Sequence, residues 1–368
     1  MTTLSLAGTW RLHATDETAS SLPWVPVQVP GDVHSALLAA GRIPDPYYGM
    51  NEKAVQWVGE KDWTYERSFE VGAELLARRS VVLDIEHPDT FAAIAINGQA
   101  VGETANRFRR YRFEVRPLLK AGTNTITATF RSAEKLALAR GQALPYPVPH
   151  IFNEDGIGPS KRHFNLIRKT QCHGGWDWGI SLMQIGFPSR VQLVGADQAR
   201  IDYVGCDQRH EPGRCTVTVT AEAVAPVAGR AELSVRLGET TVRSSVELAA
   251  GSNRVSTQVV VEQPRLWWPN GHGEQPLYEL EVRLGEAVCR KKLGLRTIEV
   301  LNRPDQWGTS LSLRVNGVDV FAKGANWIPA DALNARQTTE RYDALLADAA
   351  AANMNIIRVW GGGQFEED

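Results

Sequence analysis

The chain has 368 residues, of which 43% are apolar and 22% charged, and its formal net charge is −2. That length allows two or three domains with a core each and excludes a small stapled scaffold. The composition excludes a disordered chain, and the near-neutral charge gives no global pull toward nucleic acid or anionic lipid.

The opening stretch MTTLSLAGTWRLHA lacks a basic start followed by an apolar core of leader length, and no run approaches a membrane span. A soluble, unexported, cytoplasmic protein is the expectation. As far as residue 197, short alternating segments separated by Gly, Pro and Asn predict an antiparallel β-sandwich or barrel. RSVVLDIE and TFAAIAINGQAVGE show the pattern best, and Asn97-Gly98 accepts the positive φ angles of a tight hairpin turn. PGDVHSALLAAGRI predicts one short helix. Trp10, Trp24, Trp57 and Trp63 read as packing aromatics rather than ligand platforms. Arg107, Arg109, Arg110 and Arg112, interleaved with Tyr111 and Phe113, read as a solvated strand face rather than a phosphate site.

RKTQCHGGWDWGISL, Arg168 to Leu182, is the densest stretch. Trp176 and Trp178 flank Asp177, with glycines on both sides. Indoles that stack on sugar faces, beside a carboxylate that accepts from vicinal hydroxyls, are what carbohydrate recognition requires. A buried Asp177 bonded to Arg168 or backbone, with the tryptophans as core, accounts for the composition equally well.

Between 198 and 296 the segments CTVTVTAEAV, RAELSVRL, NRVSTQVVVE and LYELEVRL predict a second, smaller sandwich of immunoglobulin-like type. Nothing in it looks catalytic. The two tryptophans of PRLWWPNGHGEQPLY read as pinning a loop to a neighbouring domain in preference to stacking on a sugar. After 297 the pattern changes. LSLRVNGVDVFAKGANW predicts a hairpin turning on Asn316-Gly317 and leading into a strand with Val318, Val320 and Ala322. TERYDALLADAAAANMN then places Tyr342, Leu345, Leu346 and Ala349 at helical spacing. Thr339 is the expected cap, with Glu340 and Asp343 in the first turn and Asn353 at the end. IIRVWG follows as a buried strand, giving a β-α-β unit with parallel strands. A (β/α)8 barrel needs roughly 200 residues or more. Only about seventy follow the change of pattern, so a barrel opening here would be incomplete and the chain a fragment of a longer protein.

Cys172, Cys206, Cys215 and Cys289 have neither CxxC spacing nor a nearby histidine pair, so reduced thiols and no metal site are expected. A Cys206–Cys215 bond across a hairpin is the alternative. WGGGQ lacks the Lys-Ser/Thr of a P-loop and reads instead as a sharp swing of the main chain that leaves room beside Trp360 for a ligand. Retaining glycosidases need two carboxylates about 5–5.5 Å apart. Glu154, Asp155, Asp177, Glu366, Glu367 and Asp368 offer no convincing pair. Gly-x-Ser-x-Gly is absent, and His163 and His173 read as structural.

VPGDVHSALLAAGRIPDPYYGMNE, WVGEKDWTYERSF, NRFRRYRFEV, RKTQCHGGWDWG, PRLWWPNGHGEQPLY, FAKGANWIPAD and NMNIIRVWGGGQFEED occur in that order. Together they resemble the β-mannosidase branch of glycoside hydrolase family 2, and Trp-Asp-Trp-Gly and Arg-Val-Trp-Gly-Gly-Gly are specific to that branch. The resemblance covers the whole chain. It implies a mainly β fold: a jelly-roll β-sandwich, sugar-binding-like, over 1–197, an immunoglobulin-like β-sandwich over 198–296, and over 297–368 the start of a (β/α)8 TIM barrel. The implied activity is that of a retaining exo-β-mannosidase acting on terminal non-reducing β-D-mannose of oligosaccharides, with neither cofactor nor metal.

By the same resemblance Trp176 and Asp177 reach from the first domain into the barrel mouth and contact the terminal mannose. Trp360 lines that pocket, Asn326 and Trp327 end the preceding strand, and Arg358 lies along the barrel interior near the nucleophile. The acid/base and nucleophile glutamates are expected beyond Asp368. The sequence departs at Gly174-Gly175, where relatives tend to have one bulky residue, and at GFPSRVQL, which replaces a more aromatic stretch; both bear on the aglycone side. The rival readings are a non-catalytic carbohydrate-binding or scaffold protein, and a related endo-β-mannosidase or exo-glucosaminidase.

Overall fold

The computed structural model describes residues 1–15, 23–148, 163–176 and 179–366. The chain folds into two compact units. One holds residues 2–195 with 327–343 and the end of the chain from 359, and the other holds 196–326 with 344–358.

The first unit is built on a sandwich of two antiparallel sheets. One runs in the order Thr2–Ser5, Val191–Ala196, Ser80–Glu86, Arg110–Glu114. Facing it, the other runs Val25–Val29, Gly8–Ala14, Trp63–Val71, Gly122–Arg131, Phe91–Ile96, Gln99–Glu103. Period-two patterning places the core. Along Gly122–Arg131 the side chains of Asn124, Ile126, Ala128 and Phe130 are buried, while their neighbours face outward. Phe187 packs against Tyr65, Phe130 and Trp10 at ring distances of 5.6, 5.0 and 5.6 Å. Each such aromatic contributes about 1.5–3 kcal/mol by leaving water. Asn97 and Gly98, with φ of 52° and 76°, make the predicted hairpin turn.

Two expectations for this unit change. Trp10 and Trp63 are buried, but Trp24 is 41% exposed, with the Arg11 guanidinium 4.6 Å over its ring. The arginines also divide. Arg110 and Arg112 pair with Asp84 on the neighbouring strand, at 2.6 and 3.2 Å. Arg107 precedes that strand and turns inward, where it is buried.

In the second unit Arg200–Glu211, Arg214–Ala225 and Gly251–Glu262 form one sheet. Thr240–Leu248, Gly229–Leu237, Tyr278–Leu284 and Ala287–Leu293 form the other. Cys215, Val217, Val219, Ala221 and Ala223 alternate inward against Val235, Val282 and Leu284, an immunoglobulin-like arrangement. All four cysteines are free. In the ladder Cys206 stands opposite Val219 and Cys215 opposite His210, so the alternative disulfide does not form.

Beyond the sandwich, Ile298–Asp305, Gly308–Val315 and Val318–Val320 form an antiparallel sheet that turns on Asn316-Gly317 as predicted. The strand expected to run on through Ala322 stops at Val320. A separate strand, Gly324–Trp327, pairs with Ile356–Val359. Main-chain bonds from Asn355 N to Lys323 O (2.8 Å) and from Trp360 N to Trp327 O (2.9 Å) advance in the same direction, so the pair is parallel.

The connecting helix Thr339–Ala351 is capped one residue earlier than predicted, by Thr338 Oγ1, which accepts from Arg341 N at 3.4 Å. Glu340 lies in the first turn; Asp343 is beyond it. Asn353, with φ of 58°, ends the helix in the left-handed conformation. No residue of this helix is buried, and Ile356–Val359 is half-buried rather than buried. Two strands and one helix enclose too little space to cover both faces of a sheet. Among the described residues no helix is long and apolar enough to cross a membrane.

The loop with the paired tryptophans is tied by its asparagine to the end of the connecting helix, within the same unit. Asn270 Nδ2 donates to Ala350 O and Met354 O, at 3.1 and 3.0 Å, at the helix's C-terminal end. Trp267 packs beneath the Arg296 guanidinium at 4.4 Å. Asn270→Ala removes both bonds and is expected to cost about 1–2 kcal/mol. Urea unfolding measures it, and a change below about 0.3 kcal/mol would show the bonds idle.

Candidate functional site

The segment from Phe164 to Gly186 leaves the first sandwich and carries the Trp-Asp-Trp motif. Its root is fixed by charge. Asp89, 0% exposed, lies 2.6 Å from Lys169 Nζ, which is 1% exposed and also donates to Gln184 O. Arg107 Nε stands 3.9 Å and His173 Nδ1 3.6 Å from the other carboxylate oxygen. Burial raises the Asp89 carboxyl, but Lys169, then His173 and Arg107, outweigh it and hold the group below the ordinary range. For Lys169 burial prevails over Asp89 and lowers the ammonium. Burial likewise pushes His173 down to about 4, so its imidazole is neutral at physiological pH.

Above this root the segment meets the end of the β-α-β unit. Cys172 N donates to Gly362 O at 3.0 Å. The Trp176 ring stands edge-on to Trp360, with centroids 4.5 Å apart and planes at 84°. Trp360 N donates to Trp327 O, and Trp327 Nε1 donates to Glu366 Oε1 at 2.9 Å. The other Glu366 oxygen accepts from Tyr342 OH at 2.8 Å. Two indoles are thus in contact, and the main chain of the second is bonded to the residue that carries a third. The triple glycine has a specific reason here: a Cβ at Gly362 would sit 2.0 Å from the Trp360 ring. The space at Gly362 is filled by that indole, whereas a Cβ at Gly361 would meet nothing within 4 Å.

A cavity of about 630 Å³ opens between the same segments, lined by Tyr47, Cys172, His173, Ile180, Asp331, Arg336 and Arg341 among others. Asp331 accepts from Tyr47 OH at 2.8 Å and from Leu333 N at 2.9 Å. Burial pushes the Tyr47 phenol up to about 12, the Ala332 N–H opposing and Asp331 adding to the effect. Burial also holds the Cys172 thiol protonated, up to about 12. The described lining thus carries a protonated thiol, a neutral imidazole, the Asp331 side chain and the guanidiniums of Arg336 and Arg341.

Of the site residues predicted from sequence, Trp176 and Trp360 come together in the first unit. In the second unit Arg358 donates to Asn326 Oδ1 at 2.9 Å. Asp177 lies outside the described residues, as do Glu154, Asp155 and Glu367. His173 belongs to the root, in keeping with its structural reading. The Gly174-Gly175 departure has a local cause: a Cβ at Gly174 would meet the Phe164 ring at 2.9 Å, and Gly175 has φ of 98°. Sequence reasoning missed Asp89 and Lys169, placed Arg107 on a solvated strand face although it is buried, and weighed Glu366 only as one of a catalytic pair. The signal available was a lysine and a histidine beside the motif, with nothing to name their distant carboxylate.

Residues 10–188 match the model of the glycosyl hydrolase 2 galactose-binding domain-like family, and 199–296 match that of glycosyl hydrolases family 2. A probable β-mannosidase of Caenorhabditis elegans is 33% identical over 389 residues, covering 100% of this chain and 42% of its own. β-Mannosidase B of Emericella nidulans is 35% identical over 94% of this chain and 41% of its own. The crystal structure of β-D-mannosidase from Dictyoglomus thermophilum superposes with a TM-score of 0.92 at 34% identity, over 100% of this chain and 45% of that one. The Amycolatopsis orientalis exo-chitosanase CsxA shares the fold, with a TM-score of 0.73 at 17% identity. The chain spans less than half the length of these relatives.

Proposed function

On the premise that this chain belongs to glycosyl hydrolase family 2 and carries its N-terminal domains, we propose that it works within a retaining exo-β-mannosidase. Such an enzyme removes terminal non-reducing β-D-mannose from oligosaccharides. The observation that carries the reading is the Trp176–Trp360 contact, 4.5 Å between ring centroids, which sets the first residue of the Trp-Asp-Trp motif against the end of the β-α-β unit. Indoles so fixed make a wall on which a sugar face stacks.

In this reading the division is 1–197, 198–296 and 297–368, with the last part opening a (β/α)8 barrel. Two glutamates beyond Asp368 do the bond-making. One protonates the departing oxygen while the other attacks the anomeric carbon, and water then releases mannose. Asp177 holds hydroxyls remote from the reacting carbon, and Trp360 walls the pocket.

The test uses protein of the relatives' full length on p-nitrophenyl β-D-mannoside, β-D-glucosaminide and β-D-galactoside. Hydrolysis of the mannoside is expected to exceed the others by about 100-fold in kcat/KM. Preference for the glucosaminide would transfer the reading to an exo-glucosaminidase.

A further inference from the structure

The cavity of about 630 Å³ has the size and the mixed wall of a small-molecule site. Ile180, Ile328, Pro329 and Ala330 give it apolar surface, and Arg336 and Arg341 give it charge. All six belong to the first unit. The wall is held in place by its own bonds. Tyr47 OH donates to Asp331 Oδ1 at 2.8 Å and accepts from Ala332 N at 2.9 Å. Gln337 Nε2 donates to Asp331 O, and Arg341 Nε to Ala330 O, at 2.6 and 2.7 Å. An entering ligand therefore has little of this loop left to order.

The two guanidiniums are positioned by that wall without being used up by it. Arg336 lies with its guanidinium carbon 5.6 Å over the Tyr47 ring, and Asp45 Oδ2 is 3.9 Å from one of its terminal nitrogens. A terminal nitrogen of Arg341 stands at the same distance from Asp331 Oδ2. Both separations exceed hydrogen-bond length, and the two side chains are 43% and 49% exposed. A guanidinium presents its N–H groups as a planar fork that matches the two oxygens of a carboxylate. The charge of the wall narrows the choice. In the described lining two guanidiniums are set against one carboxylate, Asp331, which leaves a single positive charge to be met. Burial keeps the Cys172 thiol and the Tyr47 phenol protonated and the His173 imidazole neutral, so none of these alters that balance.

We infer that this cavity binds a small monocarboxylate with an apolar body. Its two oxygens accept from the guanidinium N–H groups of Arg336 and Arg341, and its body lies against Ile180, Ile328 and Pro329. A dianion is disfavoured by Asp331 in the wall and by Asp45 beside Arg336. The inference does not require the activity proposed above, and its readout is binding, not hydrolysis.

Saturation-transfer NMR on the full chain with cyclohexanecarboxylate tests it, with cyclohexylmethanol as a neutral probe of the same shape. Both probes are aliphatic and offer no aromatic face to the indoles. The acid is expected to bind with half-saturation at about 1 mM, and the alcohol about tenfold more weakly or worse. Arg336→Gln and Arg341→Gln are each expected to weaken binding of the acid about tenfold. Arg243→Gln, on an exposed strand of the second unit, is expected to leave it unchanged. Equal affinity for acid and alcohol, undiminished binding in both folded arginine variants, or an equal loss in Arg243→Gln would overturn the site. So would displacement by inorganic sulfate at the acid's own concentration, which would show a charged patch with no use for an apolar body. Absence of transfer up to about 50 mM of the acid would also overturn it and leave water on the arginines. The comparison of acid with alcohol uses the unmodified chain, and it decides the matter if neither arginine variant folds.

Discussion

Replacing Asp89 with alanine is expected to lower the unfolding free energy by about 3–5 kcal/mol, because it strands a buried ammonium with no counter-charge. Lys169 is 1% exposed and loses its 2.6 Å partner, and the buried Arg107 beside it loses the same carboxylate. Lys169→Met together with Asp89→Leu is expected to recover most of the loss, since an apolar pair of similar volume replaces both charges. Urea unfolding of the three proteins gives the comparison. A single-variant loss under about 1 kcal/mol, or a double variant no better than the single, would contradict the account.

The pH dependence has a definite sign. Asp89 is held below its ordinary value in the folded chain, so its stabilisation is present above the unfolded value and is lost as pH falls through the lower folded one. His173 is a base pushed down, to about 4. The unfolded chain therefore binds more protons between about 6.5 and 4, and stability falls as pH is lowered through that window. His173→Gln is expected to flatten that window and leave the steeper decline below it.

If the proposed activity holds, Gly362→Ala in protein of the relatives' full length is expected to reduce kcat/KM on a β-mannoside about 100-fold, the scale set by displacing a positioning group by an ångström. The added methyl would lie 2.0 Å from the Trp360 indole, which must move and give up its contact with Trp176. Gly361→Ala is the matched control. Nothing lies within 4 Å of its added carbon, and its activity is expected to stay within about threefold of the parent. Near-ultraviolet circular dichroism follows the indole pair independently of catalysis. Equal effects of the two alanines would remove the geometric argument.

How much of this was legible beforehand depended on whether the cause was local. Strands such as Gly122–Arg131 and Arg214–Ala225 alternate every second residue, and that period is written in neighbouring positions. The Asn-Gly turns and the left-handed Asn353 were readable for the same reason. Thr338 and Thr339 stand side by side, so the identity of the cap turned on a single residue's register. Gly324–Trp327 was misplaced because VFAKGANW holds the end of one strand and the start of another without a strong turn signal between them. The partners that fix the site were not legible. Asp89 and Lys169 are distant in sequence, and a lone Asp in EHPDT carries no mark of the lysine it will meet.

Lys169 grips the carbonyl of Gln184 as well as Asp89. The two ends of the excursion that bears Trp176 are therefore cinched by one ammonium, as a drawstring closes a purse. Residues between those ends that take no part in the neck, unlike His173, can therefore change without unfastening the sandwich beneath it.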